Sequence, residues 1–175
     1  MSEPLCFLDE KGQPTAAGEQ LVAWWHDLVD DRGGRAGLRR AQSLDDAILV
    51  VAFQRLRRSL LGSWLFSIET LADVALITAE LDTNGEPPGK SLATGNHEGM
   101  PLSPGRLKLL ADAEDMALFL RLLRGALVQV HRRSSLLHTA ELVRRWRHPA
   151  SRLRARRRLV LDYFEVAGDD LLKKG

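Results

Sequence analysis

Cysteine and asparagine are nearly missing from this chain, and several function classes go with them. A single cysteine, Cys6, allows no internal disulfide, which suits a reducing compartment. No CxxC pair or HExxH spacing occurs among Cys6 and the five histidines, His26, His97, His131, His138 and His148; His26 adjoins Asp27 and His97 adjoins Glu98. A metal site and a cofactor are therefore not expected. Charges interrupt every apolar run well short of the roughly 18 residues a membrane span needs, so a membrane protein is not expected either. The opening 13 residues carry Asp9 and Glu10 and no basic stretch ahead of an apolar one. They do not read as a secretory signal, and the expected compartment is the cytoplasm. No segment alternates apolar and polar residues over strand length, which argues against a sheet.

What is present is leucine, tryptophan and arginine at helical spacing. With 175 residues, 45% hydrophobic and 27% charged, the chain has the composition of a folded soluble protein of one domain or two small lobes. Leu21, Trp24, Trp25 and Leu28 share one face of a helix expected over 15–29. A short basic turn or helix follows at 35–41. Ser43 with Asp46 three residues on approximates a capping box and opens a helix whose core stripe is Leu49, Phe53, Leu56 and Leu60. Another spans 64–81, with Leu65, Ile68, Leu71, Ala72 and Ala75 inward. Residues 83–105 hold five glycines and four prolines and read as a linker. Beyond it, helices are expected at 105–111, 114–131, 136–148 and 150–167, the last stopped by Gly168. The fold class is all-α, a helical bundle protein with two small lobes at 1–82 and 106–175.

Few motifs carry chemistry. The segment PPGKS, Pro87 to Ser91, suggests a phosphate loop, but the Walker pattern needs a glycine five residues before its Gly-Lys, and here that position is Asn84. Asp30 with Asp31, and Asp45 with Asp46, are explained as helix-terminal carboxylates. No catalytic residue is assigned, and neither enzymatic activity nor a small-molecule substrate is expected.

Arginine stands out from this background. Residues 1–100 hold 9 Lys+Arg against 15 Asp+Glu, a balance of −6, while residues 101–175 hold 16 against 8, a balance of +8. The fifteen residues from Arg144 to Arg158 contain eight arginines and no carboxylate; uncompensated self-repulsion of this kind points to an anionic partner. Arg121, Arg124 and Arg132 form one stripe on the helix expected from Glu114 to about His131, and Arg57 and Arg58 close an earlier helix where its dipole already favours cations. Arginine binds phosphate bidentately and stacks on bases. The only asparagines, Asn84 and Asn96, lie in the expected linker, so base-reading side chains are scarce and backbone binding without sequence preference is expected. Trp146, between Arg145 and Arg147, is read as core because Leu142 and Pro149 share its face, with base stacking as the alternative.

The succession WWHDLV, RAGLRRA, FLRLLRGAL, LVRRWRH and RRRLVLDYFEVAG resembles the CasB-type small subunit of the type I-E CRISPR Cascade surveillance complex, from Leu21 to Ala167. The resemblance implies a non-catalytic two-lobed helical protein that pairs head to tail with a second copy. It would touch the backbone and large subunits of an assembly built on CRISPR RNA, and would stabilise the R-loop by holding target DNA, notably the displaced strand. By matching position it points to Arg35, Arg39 and Arg40, to Arg121 and Arg124, and to Arg144 and Arg145 as nucleic-acid contacts. Together with Arg57, Arg58 and Arg132 these make ten candidates. Two other readings remain open: a helical scaffold for acidic protein partners, and a helical transcription factor.

Overall fold

Most helices of this chain begin where a short polar side chain satisfies the free N–H groups of the first turn. In the computed structural model, which describes residues 6–60, 67–95 and 101–173, Thr15 accepts from the Gly18 N–H to cap α1 (Ala16–Asp30), and Asp31 accepts from Gly34 to cap α2 (Arg32–Arg40). Ser43 caps α3 (Leu44–Ala47), and Asp46 reaches back to accept from the Gln42 N–H. Then follow α4 (Val51–Ser59), α5 (Ile68–Thr78) capped by Ser67, α6 (Pro88–Thr94), α7 (Pro104–Ala111) capped by Ser103, α8 (Met116–Gln129) capped by Asp115, α9 (Leu136–Arg147) and α10 (Pro149–Lys173). The protein is all-α: among the described residues there is no sheet, only the isolated bridges Leu8↔Pro14 and Thr83↔Arg133. Among those residues, too, no helix is long and apolar enough to cross a membrane.

The chain divides into two units, one made of Met1–Ala79 with Leu136–Arg144 and the other of Glu80–Ser135 with Arg145–Gly175. This differs from the expected split at 83–105, because sequence distance says nothing about which unit the start of α9 joins. The first unit is built around α5, buried on every face from Thr70 to Thr78. The paired tryptophans of α1 tie it together: the Trp24 indole N–H donates to the Ala52 carbonyl at 2.7 Å and the Trp25 N–H to the Thr78 carbonyl at 3.1 Å. Phe53, Leu56 and Leu60 are buried as expected, each such burial contributing about 1.5–3 kcal/mol before entropy. Leu49 is not: at 82% exposure it lies where the expected single helix breaks into α3 and α4. Ile48, Val50 and Val51 branch at Cβ and weaken helix preference there, Val50 is extended, and the Gln54 amide donates to the Ile48 carbonyl at 2.7 Å. Trp64 and Leu65, expected in the next helix, and His97 with Glu98, lie outside the described residues.

In the second unit, the segment expected to be a linker holds α6. Pro88 occupies the first helical turn, where its missing N–H costs nothing, and Gly89 lets α6 meet α10 so closely that an added Cβ would stand 2.4 Å from the Leu159 carbonyl oxygen. Lys90 pairs with Glu165 at 3.4 Å, and the Leu102 carbonyl accepts the Tyr163 hydroxyl at 2.5 Å. Burial raises the Tyr163 hydroxyl above its ordinary pKa. PPGKS is thus a packing element. Trp146 is fully buried, stacked on Phe119 at a ring separation of 4.1 Å, with its N–H donating to the Ala113 carbonyl at 3.0 Å. That occupation rules out base stacking. Helix α10 runs through Gly168, the expected stop, because that glycine keeps helical geometry.

Candidate nucleic-acid interface

Cations collect at helix C-termini because the carbonyls there are unsatisfied and the dipole is negative. Arg35 and Arg39 follow this rule: both Nε groups donate to the Ala79 carbonyl that ends α5, at 3.4 and 2.9 Å. Their guanidinium groups close a helix of their own unit, so these two candidates hold the fold together as well as carrying charge. Arg40, one residue on, is exposed.

The expected stripe of Arg121, Arg124 and Arg132 does not form. Helix α8 ends at Gln129, and His131 and Arg132 take the left-handed conformation at φ 57° and 58°, which turns Arg132 off the helix axis. In that position its Nη1 lies 2.6 Å from Glu80, whose other oxygen is 3.3 Å from the Arg124 Nε. Glu80 is only 5% exposed. Burial lowers the Arg124 pKa and the adjacent carboxylate pulls it back up. These two arginines neutralise a buried carboxylate, a requirement of its burial, and the Arg132 carbonyl accepts from the Asp82 N–H. Arg121 alone of the three remains exposed.

Arg144 is likewise committed. It grips Glu141 at 2.8 Å, and Glu141, itself buried, also accepts the Phe7 N–H at 2.5 Å. Arg145 is exposed. Arg57 and Arg58 are exposed on the last turn of α4, with Arg57 donating to the Gln54 side chain at 3.1 Å. So of the ten arginines, Arg35, Arg39, Arg124, Arg132 and Arg144 are engaged within the fold, Arg40, Arg57, Arg58 and Arg121 face solvent, and Arg145 is exposed without being free of the fold.

The larger cationic surface lies on α10, beyond those ten. Arg154, Arg157 and Arg158 are exposed and fall within about 100° of one another at ~100° per residue. Arg158 shares its charge with Asp162 at 2.9 Å, and Arg156, on another face, pairs with Asp112 at 2.5 Å. Lys108, then Arg156, hold the Asp112 carboxyl below its usual range. Arg152 instead donates to the Trp146 carbonyl. The signal for this surface is the run from Arg144 to Arg158 itself, and the helical phase of α10 sets Arg154, Arg157 and Arg158 on one side and Arg156 on another. Among the described residues, no three His, Cys, Asp or Glu side chains come close enough to hold a metal ion.

In comparisons with known proteins, no family model, no curated protein and no solved structure matches this chain.

Proposed function

We propose that this chain is a non-catalytic, cytoplasmic nucleic-acid-binding subunit of an RNA-guided surveillance complex, similar to the CasB-type small subunit of type I-E Cascade. Its partners in this reading are the backbone and large subunits, CRISPR RNA, target DNA and a second copy of itself. One observation carries the reading: Arg154, Arg157 and Arg158 project together from α10, with Arg158 paired to Asp162. A row of guanidinium groups on a rigid helix suits a phosphate backbone. The scarcity of asparagine on the helices and the burial of Trp146 favour binding without base readout. Arg40, Arg57 and Arg58 supply a second exposed set on α2 and α4, helices of the first unit that pack together. In an assembly, tethering raises the local concentration of such a surface, so a modest intrinsic affinity suffices to hold a displaced strand.

The test is fluorescence anisotropy of the full chain with a labelled single-stranded oligonucleotide across a salt series. Each phosphate contact on a single strand contributes about −0.7 to the slope of log affinity against log salt, so replacing Arg154, Arg157 and Arg158 by alanine flattens the slope by about 2. Circular dichroism of the variant stays at the parental value. An unchanged slope in a folded variant sinks the assignment of α10.

A further inference from the structure

Among the exposed arginines Arg121 has unusual neighbours, because it stands beside apolar surface. Helices α7 and α8 pack together and leave between them a groove of about 260 Å³. Its walls are aliphatic, from Leu109, Leu110 and Leu122, and Leu109 is 62% exposed. Gly125 and Ala126 also line it, and a Cβ built on Gly125 meets nothing within 4 Å. Two arginines, Arg106 and Arg121, stand among the lining residues, and among the described residues no carboxylate does. Arg106 is steadied by Gln129, whose oxygen lies 2.5 Å from its Nη1.

Size, composition and charge narrow the occupant. The groove is smaller than the roughly 300–1,000 Å³ of a small-molecule site, which suits a few side chains of a larger partner. Among the described residues no aromatic ring lines it, so none supplies the stacking platform on which a nucleic-acid base would sit. Leucine walls gain nothing from phosphate, and they gain from aliphatic side chains. Small side chains in the lining, Gly125 and Ala126, leave room for a helix to approach, as in helix-in-groove recognition. Two cations with no compensating anion select carboxylates at the edges of that helix.

We propose that the groove between α7 and α8 docks an acidic, aliphatic helical segment of a partner protein, with Leu109, Leu110 and Leu122 receiving its apolar side chains and Arg106 and Arg121 its carboxylates. Arg121 is then a protein contact, and nucleic-acid binding by α10 proceeds without it. The proposal stands whether or not α10 binds nucleic acid.

The probe is a labelled helical peptide of about four turns, with leucines at i, i+3, i+4 and i+7 and glutamates flanking them. Its control carries lysines in place of the glutamates. Titrated with the full chain, the glutamate peptide binds at least about ten-fold tighter than the lysine peptide. Gly125→Phe fills the groove and weakens the glutamate peptide about ten-fold or more, while single-stranded oligonucleotide affinity stays at the parental value. Arg121→Glu, a change at an exposed position that leaves the groove open, reverses the preference between the peptides, so the outcome does not rest on the folding of one variant. Equal binding of the two peptides overturns the proposal, as does a Gly125→Phe variant that binds as the parent does. Parallel loss of peptide and oligonucleotide overturns it in favour of a nucleic-acid groove. Self-association of the parent in sedimentation, abolished by Gly125→Phe, overturns it in favour of a second copy.

Discussion

Glu80 lies buried between two guanidinium groups, Arg124 and Arg132, and its carboxylate is what makes their positions tolerable. Removing one member of such a cluster leaves like charges facing each other in a poorly solvated place, which costs more than the lost attraction alone. Glu80→Ala is expected to destabilise the protein by about 3 kcal/mol, read as a lower urea midpoint, and the further change Arg124→Met recovers part of it. If Glu80→Ala unfolds at the parental midpoint, Arg124 and Arg132 are surface cations after all. Arg154 and Arg157 of α10 belong to a different class, because both stand exposed to water, whereas Arg158 also pairs with the buried Asp162. Sequence did not separate these classes. Arg121 and Arg124 stand in one short motif, FLRLLRGAL, and only the place of Glu80 in space commits the second.

Glycine divides in the same way at the scale of the helix. Gly89 in α6 and Gly168 in α10 are both helical, yet one meets backbone and the other open space. Gly89→Ala forces a Cβ against the Leu159 carbonyl and is expected to cost about 1–3 kcal/mol through overpacking, whereas Gly168→Ala gains up to about 1 kcal/mol of helix propensity. Thermal unfolding of the two variants checks the opposite signs, and a stabilising Gly89→Ala contradicts the close approach of α6 to α10. The helix α6 was legible in retrospect, since a proline at its start and Gly95 at its end are ordinary helix boundaries. Five glycines and four prolines over residues 83–105 outweigh that local signal.

At the scale of the whole molecule, a net charge of only +2 conceals an acidic amino-terminal part and a basic carboxy-terminal part. Polyanions respond to the local field within a Debye length, about 10 Å at 0.1 M salt, and not to the sum. The protein is therefore expected to stay on a heparin column at pH 7.5 and low salt, and the Arg154, Arg157 and Arg158 alanine variant to elute at lower salt than the parent. Passage of the parent in the flow-through contradicts a concentrated basic surface.

The all-helical class, the caps Thr15, Ser43, Ser103 and Asp31, and the buried stripes of α1 and α4 were set by local chemistry: 3.6-residue periodicity and the hydrogen-bonding reach of a short side chain act within a few residues of sequence. The excess of arginine was set there as well. Tertiary structure decided which arginines remain available, because that depends on residues far apart in the chain, such as Ala79 for Arg39 and Glu80 for Arg124 and Arg132. It also decided that Leu49 faces water and that α6 packs on α10, since burial is a property of what lies opposite in space, and periodicity carries only the near side of each contact.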